Sequence, residues 1–116
     1  MIIEKKVEVS VLYDYYQGLL TKTQQNIIEL YFNYDLSLSE IAEEMGISRQ
    51  AVYDHIKRTE KLLFEYEAKL QMVKNDQTRR EKIQNLIEEI EKLPHYDTNS
   101  GIQWTVKRIR EDLEQL

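Results

Sequence analysis

Apolar side chains recur along this chain at steps of three and four, the spacing of amphipathic helices. From about Glu4 to Leu20, Val7, Val11, Leu12, Tyr15 and Leu19 keep that spacing, and Gly18 suggests where a first helix stops. Thr21 followed by Gln24 reads as a capping box, which predicts a second helix with Ile27, Ile28, Tyr31 and Phe32 on its apolar face. Asn33–Tyr34–Asp35 breaks it. Ser37 and Glu40 form a second box, and Leu38, Ile41, Ala42 and Met45 are expected to face inward from the third helix. Gly46 suits the left-handed position that ends a helix and turns the chain, with Ile47 as the apolar plug of the turn.

Ser48 is the candidate N-cap of a fourth helix, and no breaker follows until about Asn75. Val52, Ile56, Thr59, Leu63, Tyr66, Leu70 and Val73 alternate steps of four and three, a heptad stripe with one polar member. Thr78 and Glu81 predict a third box and a fifth helix with Ile83, Leu86, Ile87 and Ile90 on one face, closed by Leu93–Pro94. His95 to Gly101 is rich in turn formers. Ser100 and Gln103 predict a sixth helix carrying Ile102, Val106, Ile109, Leu113 and Leu116. The expectation is an all-α chain of about six helices: a helix-turn-helix head over residues 1–66, with the motif at 37–63, and a helical tail over 67–116. The tail is expected to pack with the head as one domain or to pair with a second subunit, since its stripes exceed what a small head needs to bury.

Composition narrows the class. One Pro and three Gly in 116 residues leave little punctuation for a sheet protein. With no Cys, disulfides and thiolate metal sites are out, and a reducing compartment is natural. The N-terminus has no signal-like apolar region and no run is long enough to span a membrane, so the expectation is a soluble cytoplasmic protein without membrane insertion. The net charge is −5, the wrong sign for tight non-specific binding to nucleic acid, although it leaves room for a local basic face.

Ser37 to Leu63, SLSEIAEEMGISRQAVYDHIKRTEKLL, has what a helix-turn-helix needs: a short turn around Gly46, and small or apolar residues (Ala42, Ile47, Val52, Ile56) to lock two helices together. At about 100° per residue, Ile56, Thr59 and Leu63 cluster with Val52, while Gln50, Tyr53, Asp54, Lys57 and Lys61 lie opposite. Arg49 stands at the helix start between the two faces, and Arg58 flanks the outer one. Arg and Lys suit guanine edges or phosphates, and Gln suits adenine. The helix N-terminus adds backbone N–H groups for one more phosphate. Against this stand Asp54 among the candidate readers and the acids Glu40, Glu43 and Glu44 on the preceding helix. From Leu20 to Tyr66 five basic residues meet eight acidic ones, a net charge of −3. The same outward residues also fit an ordinary solvated face.

The segment LTKTQQNIIELYFNYDLSLSEIAEEMGISRQAVYDHIKRTEKLL resembles region 4 of bacterial sigma-70 factors, which reads the promoter −35 element. More closely, LYDYYQGLLT, ELYF, DLSLSEIAEEMGISRQAVYD and IKRTEKLL followed by YEAKL resemble the YlxM-like family of small proteins predicted to bind DNA. The similarity spans roughly Val11 to Leu70 and is weak beyond it. It implies a sigma-region-4-like helix-turn-helix and, because the family's genes typically lie beside those for the signal recognition particle and its receptor, a role in that protein-targeting pathway. By position, Ser48, Arg49, Gln50, Tyr53 and Lys57 correspond to the family's recognition helix. With Arg58 and Lys61 added from the helix geometry, these are the expected nucleic-acid-binding residues, for DNA or RNA. The alternative is a protein-binding adaptor of the signal recognition particle that keeps the motif only as scaffold. A homodimer is expected from the tail stripes.

Other chemistry is thin. His55 and His95 lie far apart, His55 reading as an edge-of-core residue and His95 as a solvated loop residue, and no ligand spacing points to a metal. Glu88, Glu89 and Glu91 read as a charged helix face. No phosphate loop, dinucleotide fingerprint or nucleophile motif is present, so neither an enzyme nor a cofactor is expected. Tyr13, Tyr15, Tyr16, Tyr31, Phe32 and Tyr34 are expected to fill the seam between the first two helices with their hydroxyls at the surface, rather than to stack on bases.

Overall fold

The computed structural model describes residues 3–115, and among these it contains six α-helices and no strand: α1 (Ile3–Tyr16), α2 (Lys22–Ile28), α3 (Leu38–Met45), α4 (Arg49–Leu70), α5 (Met72–Glu91) and α6 (Ser100–Glu114). Two compact units divide the chain between Val73 and Lys74. In the first, α4 is the central element and packs against α1, α2 and α3. Its row Val52, Ile56, Thr59 and Leu63 is buried among Val9, Leu12, Tyr13, Tyr16, Leu20, Ile27, Ile28, Phe32 and Ile41. Burying one such aliphatic side chain stabilises the fold by about 1.5–3 kcal/mol.

The helix starts follow the caps. Thr21 Oγ1 accepts from the Gln24 N–H while the Gln24 side chain accepts from the Thr21 N–H. Ser37 and Glu40 exchange the same two bonds. After Ile28 the helix widens into a π turn over Glu29–Asn33, with the Tyr34 N–H reaching back to the Glu29 carbonyl. That turn buries Phe32, against which Tyr31 stacks edge-on at 5.0 Å between ring centres. Asp35 then takes a left-handed backbone and pairs with Lys6 of α1.

The face of α1 differs from the expected one. The helix stops at Tyr16, four residues before the expected end; Val7 and Val11 are exposed, as is Leu19 beyond it, and the buried set is Val9, Leu12, Tyr13 and Tyr16, with Leu20 after the helix. Nor are the Tyr13 and Tyr16 hydroxyls at the surface. Tyr13 donates to Glu29, the first residue of the π turn, at 2.7 Å, and Tyr16 donates to Glu67 of α4. A phenol can go inside when its hydroxyl finds a strong acceptor, and two carboxylates distant in sequence supply it. The apolar stripe therefore turns toward the two tyrosines.

The Tyr16 hydroxyl also decides where α4 ends. It accepts from the Met72 N–H at 3.1 Å, and Glu67 Oε1 accepts from the Val73 N–H at 3.1 Å. Together they cap the first turn of α5, while Gln71 takes a left-handed conformation with φ 52°. The break thus falls at Gln71, not near Asn75. Thr78 and Glu81 lie inside α5 and form no capping box. Leu70, expected in the α4 stripe, lies exposed beside the break, and Val73 is half-buried.

In the second unit Ile87 and Val106 are the buried apolar side chains, and Ile83, Ile90, Ile102, Ile109 and Leu113 are half-buried. Leu86, expected on the same face, is exposed. Leu116 lies outside the described residues. The cap of α6 is Asn99, not Ser100: its side chain accepts from the Ile102 N–H at 3.1 Å. Gln103 instead donates to the Tyr96 carbonyl at 3.0 Å. Arg110 pairs with Glu91, and Arg80 reaches the Leu113 carbonyl.

The buried phenols make the head sensitive to alkali. Burial first, then the bonded carboxylates, raise the pKa of Tyr13 and of Tyr16 above the ordinary 10.0. The fold therefore favours the neutral phenols; their contribution is complete below pH 10 and is lost as pH rises from there toward the folded-state values. Urea midpoints are expected to hold between pH 7 and 9 and to fall above about pH 10. Tyr16→Phe leaves the Met72 N–H and Glu67 short of a partner and is expected to cost about 1–3 kcal/mol at neutral pH by the same measurement.

Candidate nucleic-acid interface

The candidate interface grows out of the turn between α3 and α4. Gly46 ends α3 at φ 68°, and its N–H and that of Ile47 both reach the Ala42 carbonyl. Ser48 follows in extended backbone, and its Oγ accepts from the Ala51 N–H at 3.0 Å. With Ile41, Val52 and Ile56 buried together, the start of α4 can present its opposite side outward. This is a helix-turn-helix built by a left-handed glycine, an apolar plug and a serine cap.

Every residue expected to bind nucleic acid is placed on or beside that outward side. Ser48, Arg49, Gln50, Tyr53, Arg58 and Lys61 are exposed, and Lys57 is half-buried. Arg49, Gln50 and Tyr53 line one shallow depression together with Leu38 of α3. Arg58 and Lys61 do not border it. The N–H groups of the first turn of α4 that Ser48 does not cap are directed outward along the helix axis, where an anion is favoured.

Several of these side chains are held by neighbours. Gln50 Nε2 donates to Asp54 Oδ1 at 3.0 Å, and Arg58 Nε donates to the Asp54 carbonyl at 3.4 Å. Lys57 Nζ lies 5.6 Å from the centre of the Tyr53 ring and 3.7 Å from Glu60 Oε2. Glu60 is a carboxylate with 3% of its surface exposed, on the border of the buried row. Neither Glu60 nor Leu38 was among the expected site residues. The i,i+3 step from Lys57 to Glu60 was the available signal for the first, and no local pattern marks the second.

Elsewhere, His55 is half-buried and His95 is exposed with φ 68°. Among the described residues no group of three or more His, Asp or Glu side chains is arranged to hold a metal ion. No helix among them is long and apolar enough to cross a membrane.

Residues 3–102 match the family described as "Putative helix-turn-helix protein, YlxM / p13 like". A UPF0122 protein of Clostridium novyi is 40% identical over 113 residues, covering 97% of this chain and 98% of that protein. A UPF0122 protein of Streptococcus gordonii is 50% identical over 92 residues, covering 79% and 84%. One from Streptococcus pneumoniae is 60% identical over 72 residues, covering 62% and 66%.

The turn offers a direct check of this geometry. A Cβ at Gly46 would meet no atom within 4 Å, so Gly46→Ala strains the backbone alone. It is expected to cost about 1 kcal/mol, seen as a lower urea midpoint at unchanged slope. Gly18→Ala, equally open but at ordinary φ, is expected to leave the midpoint level or raise it.

Proposed function

Because the chain belongs to the YlxM/p13-like helix-turn-helix family, we propose that it is a cytoplasmic, non-enzymatic DNA-binding regulatory protein of the signal recognition particle pathway. The observation that carries this reading is the exposed start of α4, where Arg49, Gln50 and Tyr53 share one depression beside the helix N-terminus. In the major groove, Arg49 would meet a guanine edge and Gln50 an adenine, while Lys57, Arg58 and Lys61 reach phosphates. The pathway assignment rests on the resemblance described above. The head, with its net charge of −3 between Leu20 and Tyr66, has little charge to spend on non-specific contact. Binding of this kind relies on a few placed side chains, and it falls with salt less steeply than binding by a strongly basic face.

The second unit supplies the dimer. Its groove, lined by Ile90, Leu93, Ile102, Val106 and Ile109, is largely apolar, and Leu86 and Leu93 are exposed. Pairing two copies there would cover apolar surface that a two-helix unit leaves open, and would present two α4 helices to a two-fold site.

A second reading is favoured by one observation: Asp54 and Glu60 already engage Gln50 and Lys57. In that reading the motif is scaffold, and the acidic chain is an adaptor for basic components of the targeting particle.

Fluorescence anisotropy with labelled duplex DNA and with the particle's RNA over a salt series separates these. The DNA reading expects affinity for duplex to fall with salt and to drop about tenfold or more in Arg49→Ala/Lys57→Ala, with a shallower salt slope. Stronger, mutation-sensitive binding to the RNA would replace DNA as the ligand. Equal binding by wild type and variant overturns α4 as the interface, and capture of a particle protein without either nucleic acid supports the adaptor. For the dimer, sedimentation velocity is expected to give a concentration-dependent dimer that Leu93→Asp or Ile109→Asp dissociates. A monomer at all concentrations overturns it.

A further inference from the structure

An acid stands among the proposed readers of α4. Asp54 stands on the outward face, where its charge repels phosphate. Its Oδ1 accepts from Gln50 Nε2 at 3.0 Å, one helical turn earlier. An ionised carboxylate only accepts, so the amide of Gln50 has one allowed orientation in this pair: nitrogen toward Asp54, carbonyl away from it. One amide N–H and the carbonyl oxygen then remain for a ligand. A donor beside an acceptor on one planar group is the complement of the adenine edge in the major groove, which offers the N6 amino group and the N7 acceptor. It is the wrong complement for guanine, whose O6 and N7 both accept.

Resting on the reading of α4 as a DNA-recognition helix, we infer that Asp54 is a positioning residue that locks the Gln50 amide for adenine, making this pair a specificity determinant of the interface. Asp54 itself need not touch DNA. Its cost is overall affinity, because an anion faces the phosphates. Its gain is discrimination at one base pair, because an amide that cannot flip cannot offer a second pattern. Arg49 and Tyr53, which line the same depression as Gln50, are left to contact neighbouring positions.

The test is selection of bound duplexes from a random-sequence DNA pool, read as base preference at each position, together with anisotropy on the whole pool. Wild type is expected to enrich adenine at one position of each half-site, and Gln50→Ala to lower that preference about tenfold or more while other positions hold. Asp54→Ala is expected to weaken the same preference several-fold and yet to raise affinity for the pool as a whole. Asp54→Glu, which keeps an acceptor at i+4, should retain the preference. The substitutions are at exposed positions, and thermal melting checks that each variant folds. An unchanged preference in Asp54→Ala overturns the inference. So does a uniform loss of affinity, or loss of a cytosine preference at a neighbouring position, which would make Asp54 a reader in its own right. If wild type binds no duplex in the pool, the DNA reading fails and takes this one with it. If it binds duplexes and Gln50→Ala keeps the adenine, only this inference fails.

Discussion

Val52, Ile56, Thr59 and Leu63 form a row about 17 Å long on one side of α4, and the first unit is organised around burying it. Three shorter helices pack against α4, and each delivers core residues to the same cluster: Val9, Leu12 and Tyr16 from α1, Ile27 and Ile28 from α2, Ile41 from α3. Once that row is inside, rotation about the α4 axis is no longer free. Gln50 and Tyr53 stand outward because Val52 and Ile56 stand inward, and Arg49 stands beside them at the exposed helix start. The candidate interface is thus a consequence of core packing, and a single helix carries both.

Two polar contacts complete the core at its edges, and both involve a tyrosine from α1. Burying a phenol without a partner would be unfavourable, and each hydroxyl meets a carboxylate from a helix distant in sequence. Tyr16 does more than satisfy itself, since it also receives the Met72 N–H and so fixes the point where α4 stops. Glu67 takes the Val73 N–H beside it. A side chain near the start of the chain therefore sets a helix boundary more than fifty residues later.

On the outward side the balance is electrostatic. The basic residues of the candidate interface are few, and acids stand among its side chains: Asp54 bonds Gln50 and Glu60 lies close to Lys57. A face of this charge has a weak general pull on phosphate, and Gln50 and Lys57 are held by their acidic neighbours.

Local signals were legible in the sequence wherever the physics is local. The Thr21–Gln24 and Ser37–Glu40 boxes, the left-handed Gly46, the Ser48 cap and the inward row from Val52 to Leu63 all depend on residues within one or two turns, and each stands where the pattern placed it. The outward placement of Gln50, Tyr53 and Lys61 follows from that row by helical geometry alone, while Arg49 owes its exposure to its place at the helix start. The weaker local signals at Thr78 and Ser100 were overridden. In the first case the helix had already begun at Met72, and in the second Asn99 took the cap. What only the tertiary structure decided lies in contacts between residues far apart in the chain. Which face of α1 goes inside, where α4 gives way to α5, and how Leu38 comes to border the same depression as Arg49 each depend on such contacts. Hydrophobic spacing ranks a tyrosine and a valine as equal candidates for the core. Only the fold can bring Glu29 and Glu67 to the tyrosine hydroxyls and tip the choice.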